Sequence, residues 1–331
     1  MKPPALLQRY RDPIEAGLVK ALQGESLLYR VLRYHVGLED EQGRAVRRAG
    51  KLLRPSLVLF TAEELGGKVA EGLPAALALE MIHNFSLIHD DIQDRDRTRR
   101  GRPTVWSQHG IAQAINAGDL MLARAFSVAQ DATSKREITT LLVEAATEMI
   151  EGQAFDLAFE GEIVGIEPYL EMVDKKTGAL MRCAFHLGAL IAQAAAGVIE
   201  QLVALGRELG RAFQIRDDLL GIWGDGEITG KPQGSDIRRK KASLPMAILF
   251  ERASDDQRSV LRGVYDREEI ASHDVASVMR LMEELDVRRI GEGMMLKHLD
   301  WARTHLMALP FSDQGKKEMD AFLDYLARRK R

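Results

Sequence analysis

Between Pro74 and Asp94 the apolar residues Leu77, Met81, Phe85 and Ile88 recur every three or four places. That spacing predicts a helix with one face in a core. The same period predicts helices over roughly 112–131, 134–160, 167–196, 198–223, 242–265, 267–286, 287–308 and 314–329. Gly-, Pro- and Asp-rich punctuation separates them at 64–74, 101–104, 161–168 and 224–236. No stretch alternates apolar and polar residues for long enough to predict a sheet, and no change of composition marks a linker. The pattern therefore predicts one all-α domain over 1–331. Small residues crowd "TGALMRCAFHLGALIAQAAAG", 177–197, which predicts close helix packing and is compatible with a helix lining a narrow apolar cavity.

Composition narrows the class. The chain has 331 residues, 46% hydrophobic and 29% charged, the balance of a soluble globular protein. A net charge of -3 argues against a general nucleic-acid partner. The lone Cys183 excludes an internal disulfide framework and suits a reducing cytoplasm. Arg9, Arg11 and Asp12 interrupt the first apolar residues, so the start does not read as a signal peptide. No run approaches the roughly 18 apolar residues of a membrane span.

The chemistry gathers in "SLIHDDIQDRDRTRRGRPT", 86–104. On a helix, Asp90 and Asp94 lie one turn apart on one face with Asp91 beside them. Like charges at that spacing cost roughly 0.2–0.5 kcal/mol per pair when exposed. An all-oxygen donor set suits magnesium, which binds through one or two carboxylates plus substrate phosphates. Two other readings stay open: a carboxylate pair for acid/base work, or acids paired with Arg95, Arg97 and Arg99 in a solvated helix end. The arginines favour the metal, because a guanidinium grips phosphate through parallel hydrogen bonds. Arg99 and Arg100 enter a turn at Gly101 and Pro103. Acids and arginines together fit a metal-bridged polyphosphate, and neither nucleotide-binding glycine motif occurs.

A second segment repeats the first. "LIHDDIQD" (87–94) and "QIRDDLLG" (214–221) share x-Ile-basic-Asp-Asp-apolar near the ends of long apolar helices, which adds Asp217 and Asp218. In "GKLLRP", Pro55 as first helical residue places Lys51 and Arg54 at a helix N-terminus, where anions are favoured. His83 sits seven residues before Asp90, on nearly the same face, either as a ligand or as a core histidine. Lys176 and Thr177 in "KTG", Gln214, Lys231 in "TGKP" and Lys241 in "RRKKASLP" complete the set. The run 238–241 and the tail "RRKR", 328–331, read by default as solvated faces.

From "GKLLRP" to "KKASLP" the order of motifs resembles the trans-polyprenyl diphosphate synthase family. "DDIQDRDRTRRG" resembles its first aspartate-rich motif and "FQIRDDLLG" its second; "EGQAFDL" (151–157) and "KTGAL" (176–180) resemble the motifs between them. The resemblance implies the isoprenoid synthase fold, a bundle of long antiparallel helices around a deep apolar cavity, usually as a homodimer. It implies head-to-tail condensation of isopentenyl diphosphate with an allylic diphosphate, assisted by about three Mg2+ ions. Asp90 and Asp94, supported by Asp91, would hold two ions and Asp217 the third, with Asp218 beside it. Lys51, Arg54, His83 and Arg100 would bind isopentenyl diphosphate. Arg99, Lys176, Lys231 and Lys241 would bind the allylic diphosphate, and Thr177 and Gln214 would face the reacting carbons.

Two departures stand out. "GKLLRP" lacks a second glycine and another basic residue that the family often carries. The second acidic motif ends in Gly221 where many members have a third aspartate, and Asp225 is the candidate to reach back. For product length, Phe85 lies about 7.5 Å deeper than Asp90 along the helix, followed by the small Ser86. By resemblance this pair suits geranylgeranyl diphosphate, with farnesyl diphosphate or a longer product as alternatives. A terpene cyclase or a non-catalytic partner subunit is less well matched, since both acidic motifs are present. Plain core packing is the structural reading of Phe85.

Overall fold

The computed structural model describes residues 3–226 and 232–329. Helices α1 (Ala5–Arg9), α2 (Arg11–Ala21), α3 (Leu27–His35) and α4 (Leu53–Glu64) lead into the long α5 (Val69–Gln93). A ribbon of two short strands, β1 (Thr98–Arg99) and β2 (Arg102–Pro103), precedes α6 (Val105–Ala129), α7 (Lys135–Ala158) and α8 (Ile166–Val173). A π-helical turn, Asp174–Gly178, joins α8 to α9 (Ala179–Ile191), and α10 (Ala196–Trp223) follows. The rest comprises α11 (Ser235–Arg238), α12 (Leu244–Arg252), α13 (Asp255–Tyr265), α14 (Ser272–Glu284), α15 (Val287–Leu306) and α16 (Asp313–Arg328).

The all-α expectation holds. Helix α5 packs along α6 and α4, α9 lies against both α4 and α10, and α10 also meets α15. One contiguous apolar core runs from Leu6 on α1 to Leu326 on α16. The small residues of 177–197 do pack closely: a Cβ on Gly210 of α10 would come within 2.8 Å of the Gly178 Cα.

Several boundaries differ from the pattern. The segment 167–196 is not one helix, because the π turn interrupts it. The segment 242–265 breaks at Ala253, where Ser254 caps α13 in a reciprocal capping box with Gln257; the cap satisfies backbone groups that a continuous helix would have used itself. Helix α5 starts five residues early and absorbs Pro74, which leaves a single carbonyl one turn back without its usual donor. The small ribbon is also new. Its turn residues Arg100 and Gly101 have φ of 54° and 72°, the left-handed pair that a tight two-residue hairpin needs. Pro55 is the third residue of α4, not the first, so Lys51 precedes the helix and Arg54 lies in its first turn.

Candidate active site

Asp90 and Asp91 occupy the last turn of α5, and Asp94 caps it. Burial pushes the Asp90 carboxyl above its usual range; Lys176 opposes that shift, while Asp94 and Asp156 add to it. Asp91 is almost fully buried. Its Oδ1 accepts from Arg99 Nε at 2.7 Å, while its Oδ2 is buried with no hydrogen-bond partner among the described residues. Burial outweighs Arg99 and pushes Asp91 up to about 6.

Lys241 shows that the two acidic segments meet. Burial alone would lower its ammonium, but Asp156, Asp236, Asp218 and Asp94 together hold it well above the ordinary value. Acids from the end of α5 and from α10 therefore act on one buried cation. Part of the run 238–241 is accordingly not a solvated face.

Behind this charge lies a chain of hydrogen bonds. Thr177 Oγ1 donates to Gln214 Oε1 at 2.7 Å, and Gln214 Nε2 donates to Asp218 Oδ1 at 2.9 Å. Asp218 Oδ2 accepts from the Tyr169 hydroxyl at 2.7 Å and from the Leu244 backbone at 2.9 Å. With both oxygens engaged, Asp218 braces Gln214 and the start of α12 rather than standing open beside Asp217. The π turn presents Lys176 and Thr177, and π turns are frequent at functional sites because they re-aim side chains within a helix. "EGQAFDL" supports that turn. A Cβ on Gly152 would fall 2.2 Å from the Lys176 backbone nitrogen, so only glycine admits this approach. Asp156, one turn on, pairs with the Lys176 ammonium. Neither Asp156 nor Asp236 was singled out from sequence; an isolated acid in a helix carries no signal until its cation is placed.

Asp217 faces an arginine. Its Oδ1 lies 2.7 Å from Arg329 Nη2. Arg329 also donates to the Phe213 carbonyl at 2.9 Å and lies over the Phe213 ring at 3.9 Å, while Arg216 donates back to the Arg329 carbonyl at 2.8 and 3.0 Å. Arg329 is buried, so the expectation of a solvated tail fails there: a planar cation docks where an acid and a ring await it.

The remaining cations lie toward the start of α4. Arg54 is buried and its Nε has no partner among the described residues. Burial lowers its guanidinium, against the pull of Glu80 and Asp217. Burial, reinforced by Arg54, Arg100 and Arg99, lowers His83 well below its usual value, so it is neutral. Arg100 lies against Gly50, where a Cβ would stand 2.4 Å from its Nη1. Glu80, unmarked by the motifs, is buried among these groups and accepts from Asn84 Nδ2 at 3.0 Å. Lys51 directly precedes the α4 cap. Lys231 lies outside the described residues.

Among the described residues no three acidic, histidine or cysteine side chains converge as a protein-only metal site. Magnesium does not require one, since it takes one or two carboxylates and completes its shell with phosphate and water. The all-oxygen donors Asp90, Asp217 and Asp94, met here by the cations Lys176, Arg329 and Lys241 respectively, fit an ion shared with a substrate.

The polyprenyl synthetase family model matches residues 38–282. The chain belongs to the polyprenyl synthetase family. Two relatives from Mycobacterium tuberculosis are each 40% identical to it. One is named (2E,6E)-farnesyl diphosphate synthase and aligns over 306 residues, 90% of this chain and 85% of the relative. The other is named geranylgeranyl diphosphate synthase and aligns over 258 residues, 76% and 73%. The crystal structure of a polyprenyl synthetase from Streptomyces coelicolor matches with a TM-score of 0.86 at 34% identity, covering 97% of this chain and 98% of that one. This polyprenyl synthetase thus has the all-α isoprenoid synthase fold and is a prenyltransferase.

Two features of this synthetase's own sequence now have a structural account. A Cβ on Gly221 would meet the Asp236 carboxylate at 2.0 Å from Oδ2. The space of the third aspartate is therefore filled by a carboxylate from α11, while Asp225, the residue expected to reach back, is exposed. On α5, Phe85 is buried and meets the His89 ring edge-on at 4.9 Å. Ser86 Oγ donates to the His83 carbonyl at 2.8 Å, within its own helix.

Proposed function

We propose that this prenyltransferase condenses isopentenyl diphosphate with an allylic diphosphate, releases pyrophosphate, and makes geranylgeranyl diphosphate. The observation that carries the reading is the buried Lys241 ammonium, held between acids of both aspartate-rich segments. Asp90 and Asp94, backed by Asp91, together with Asp217, would hold about three magnesium ions. Bound with the allylic diphosphate, they supply positive charge against the leaving group.

The chain's own residues do the rest. Lys51, Arg54 and Arg100, with neutral His83, bind and orient the diphosphate of isopentenyl diphosphate; the unpartnered Arg54 Nε is completed by a phosphate oxygen. Arg99, Lys176 and Lys241, joined by Lys231 on the strength of its motif, hold the allylic diphosphate and steady the charge that grows as its C–O bond breaks. Thr177 and Gln214, fixed by Asp218, turn oxygen dipoles toward the electron-poor allylic carbons. The double bond of isopentenyl diphosphate forms the new C–C bond, and the departing pyrophosphate takes the proton that is lost.

Product length rests on Phe85 as the floor of the chain's path. A second reading, farnesyl diphosphate, is favoured by the relative of that activity that aligns over 90% of the chain. Purified protein incubated with magnesium, labelled isopentenyl diphosphate and dimethylallyl, geranyl or farnesyl primer decides between them. Twenty-carbon products are expected. Fifteen-carbon products alone would assign the farnesyl reading, and no condensation with any primer would overturn the function.

We further propose a homodimer formed through α6 and α7. These consecutive helices meet and leave Ile111, Ile115, Val143 and Ile150 exposed, and a second copy would cover that apolar surface. Sedimentation should give twice the chain mass, and Ile115→Glu with Val143→Glu should give one. No described helix is long and apolar enough to cross a membrane. With a single, buried, unpaired cysteine, we place the enzyme in the cytoplasm.

A further inference from the structure

Beside Lys241 lies a small pocket lined by Glu162, Tyr169, Lys241, Ser243, Phe250 and Tyr265, with about 10 Å³ for the centre of a water molecule. One water requires roughly 10–15 Å³. Two hydroxyl groups on these walls, those of Ser243 and Tyr265, are buried and have no hydrogen-bond partner among the described residues. A buried polar atom left open is costly unless something completes it.

Ser243 stands at the cap of α12, where a serine oxygen ordinarily accepts from the second or third helical N–H. Here the Leu244 N–H goes to Asp218 Oδ2 at 2.9 Å, Pro245 has no N–H, and Ser243 makes no capping bond. The Tyr265 ring, at the end of α13, meets Phe250 edge-on at 5.8 Å. Burial, with Asp236 adding to it, pushes the Tyr265 hydroxyl well up, so it keeps its proton. Each hydroxyl can give one hydrogen bond and accept another. That pair suits a neutral molecule that both gives and accepts, and a pocket of this size admits water. Tyr169 forms a further wall; it donates to Asp218 Oδ2 at 2.7 Å and has lone pairs left to accept.

The pocket also borders the reacting centre. Lys241 and Ser243 are two residues apart in one segment, so a bridge at Ser243 fixes the backbone from which Lys241 extends. The Lys241 ammonium makes no hydrogen bond or ion pair with any described residue, although acids of both aspartate-rich segments act on it. Its aim therefore depends on how its own stretch of chain is held.

We propose that one internal water joins the Ser243 and Tyr265 hydroxyls, and that these two are positioning residues for Lys241, acting through the chain at 241–243. The second part rests on the proposed role of Lys241 toward the allylic diphosphate.

A high-resolution crystal structure of the parent should show one ordered water within hydrogen-bond reach of both Ser243 Oγ and the Tyr265 hydroxyl. Density without it overturns the bridge. Calorimetric titration with farnesyl thiolodiphosphate and magnesium reads the positioning. Tyr265→Phe and Ser243→Ala should each bind this analogue about 5-fold more weakly, the worth of one hydrogen bond, and the double variant no more weakly than either. Unaltered affinity, or losses that multiply in the double variant, would overturn the shared role. In a Lys241→Ala background Tyr265→Phe should cost nothing further; a loss that persists there overturns the action through Lys241. KM for isopentenyl diphosphate should stay within about twofold of the parent in both single variants, and a matching rise would mean general loosening instead of positioning. If the parent binds no allylic analogue, the reaction reading fails, and the density still decides whether the pocket holds its water.

Discussion

Gly221 and Asp236 occupy one place from two directions. Restoring the usual aspartate by Gly221→Asp would drive a second carboxylate into the first, 2.0 Å from Cβ to Oδ2. The substitution should therefore destabilise the protein, by about 1–3 kcal/mol for overpacking alone, and should lower activity rather than raise it. Denaturant unfolding reads the first effect, and adding Asp236→Ser should relieve it. Phe85→Ala tests another single position: it opens space beside His89 and should lengthen the products, seen by chromatography of the dephosphorylated alcohols. Unchanged lengths would remove Phe85 as the floor. Asp90 and Asp217 stood out in the sequence because acids repeated in matching apolar settings need a common explanation. Asp156, Asp236 and Glu80 did not, since each answers a cation that only folding brings near.

At the scale of elements, the 3.6-residue period located the long helices but not their interruptions. The π turn at Asp174–Gly178 continues the helical pattern and so has no breaker to betray it; bidentate Arg211 on Asp174, at 2.7 Å from both oxygens, holds it against α10. The break before α13 did leave a trace, the Ser254–Gln257 capping pair. Between α10 and α15, Glu208 accepts from or shares a proton with His298 Nδ1 at 2.6 Å. Burial would raise the Glu208 carboxyl, but the His298 hydrogen bond and charge outweigh it and hold the group below its ordinary value. A lowered acid stabilises the fold above its unfolded value, about 4.3, and loses that contribution as pH falls through the folded one. Glu208→Gln should thus unfold at lower urea than the parent at pH 7, with the gap closing below about pH 4.

Across the whole molecule, the motifs are spread from 51 to 241, yet acids from both aspartate-rich segments act on the one Lys241 ammonium. The last helix was expected to end in solvent. Instead, Arg329 crosses back to Asp217, Phe213 and Arg216. A cation binding at Asp217 must displace that guanidinium. Arg329→Gln should then bind magnesium, in the presence of an inert allylic diphosphate analogue, up to roughly fivefold more tightly, since a partly exposed pair is worth at most about 1 kcal/mol. Calorimetric titration reads this directly, and unchanged affinity would mean the pair gives way without cost.

The same contact matters to anyone handling the protein. Anything fastened beyond residue 329, such as an affinity tag or an immobilising surface, pulls on the arginine that shields Asp217. Two preparations that differ only in where the purification handle sits should respond differently to added magnesium.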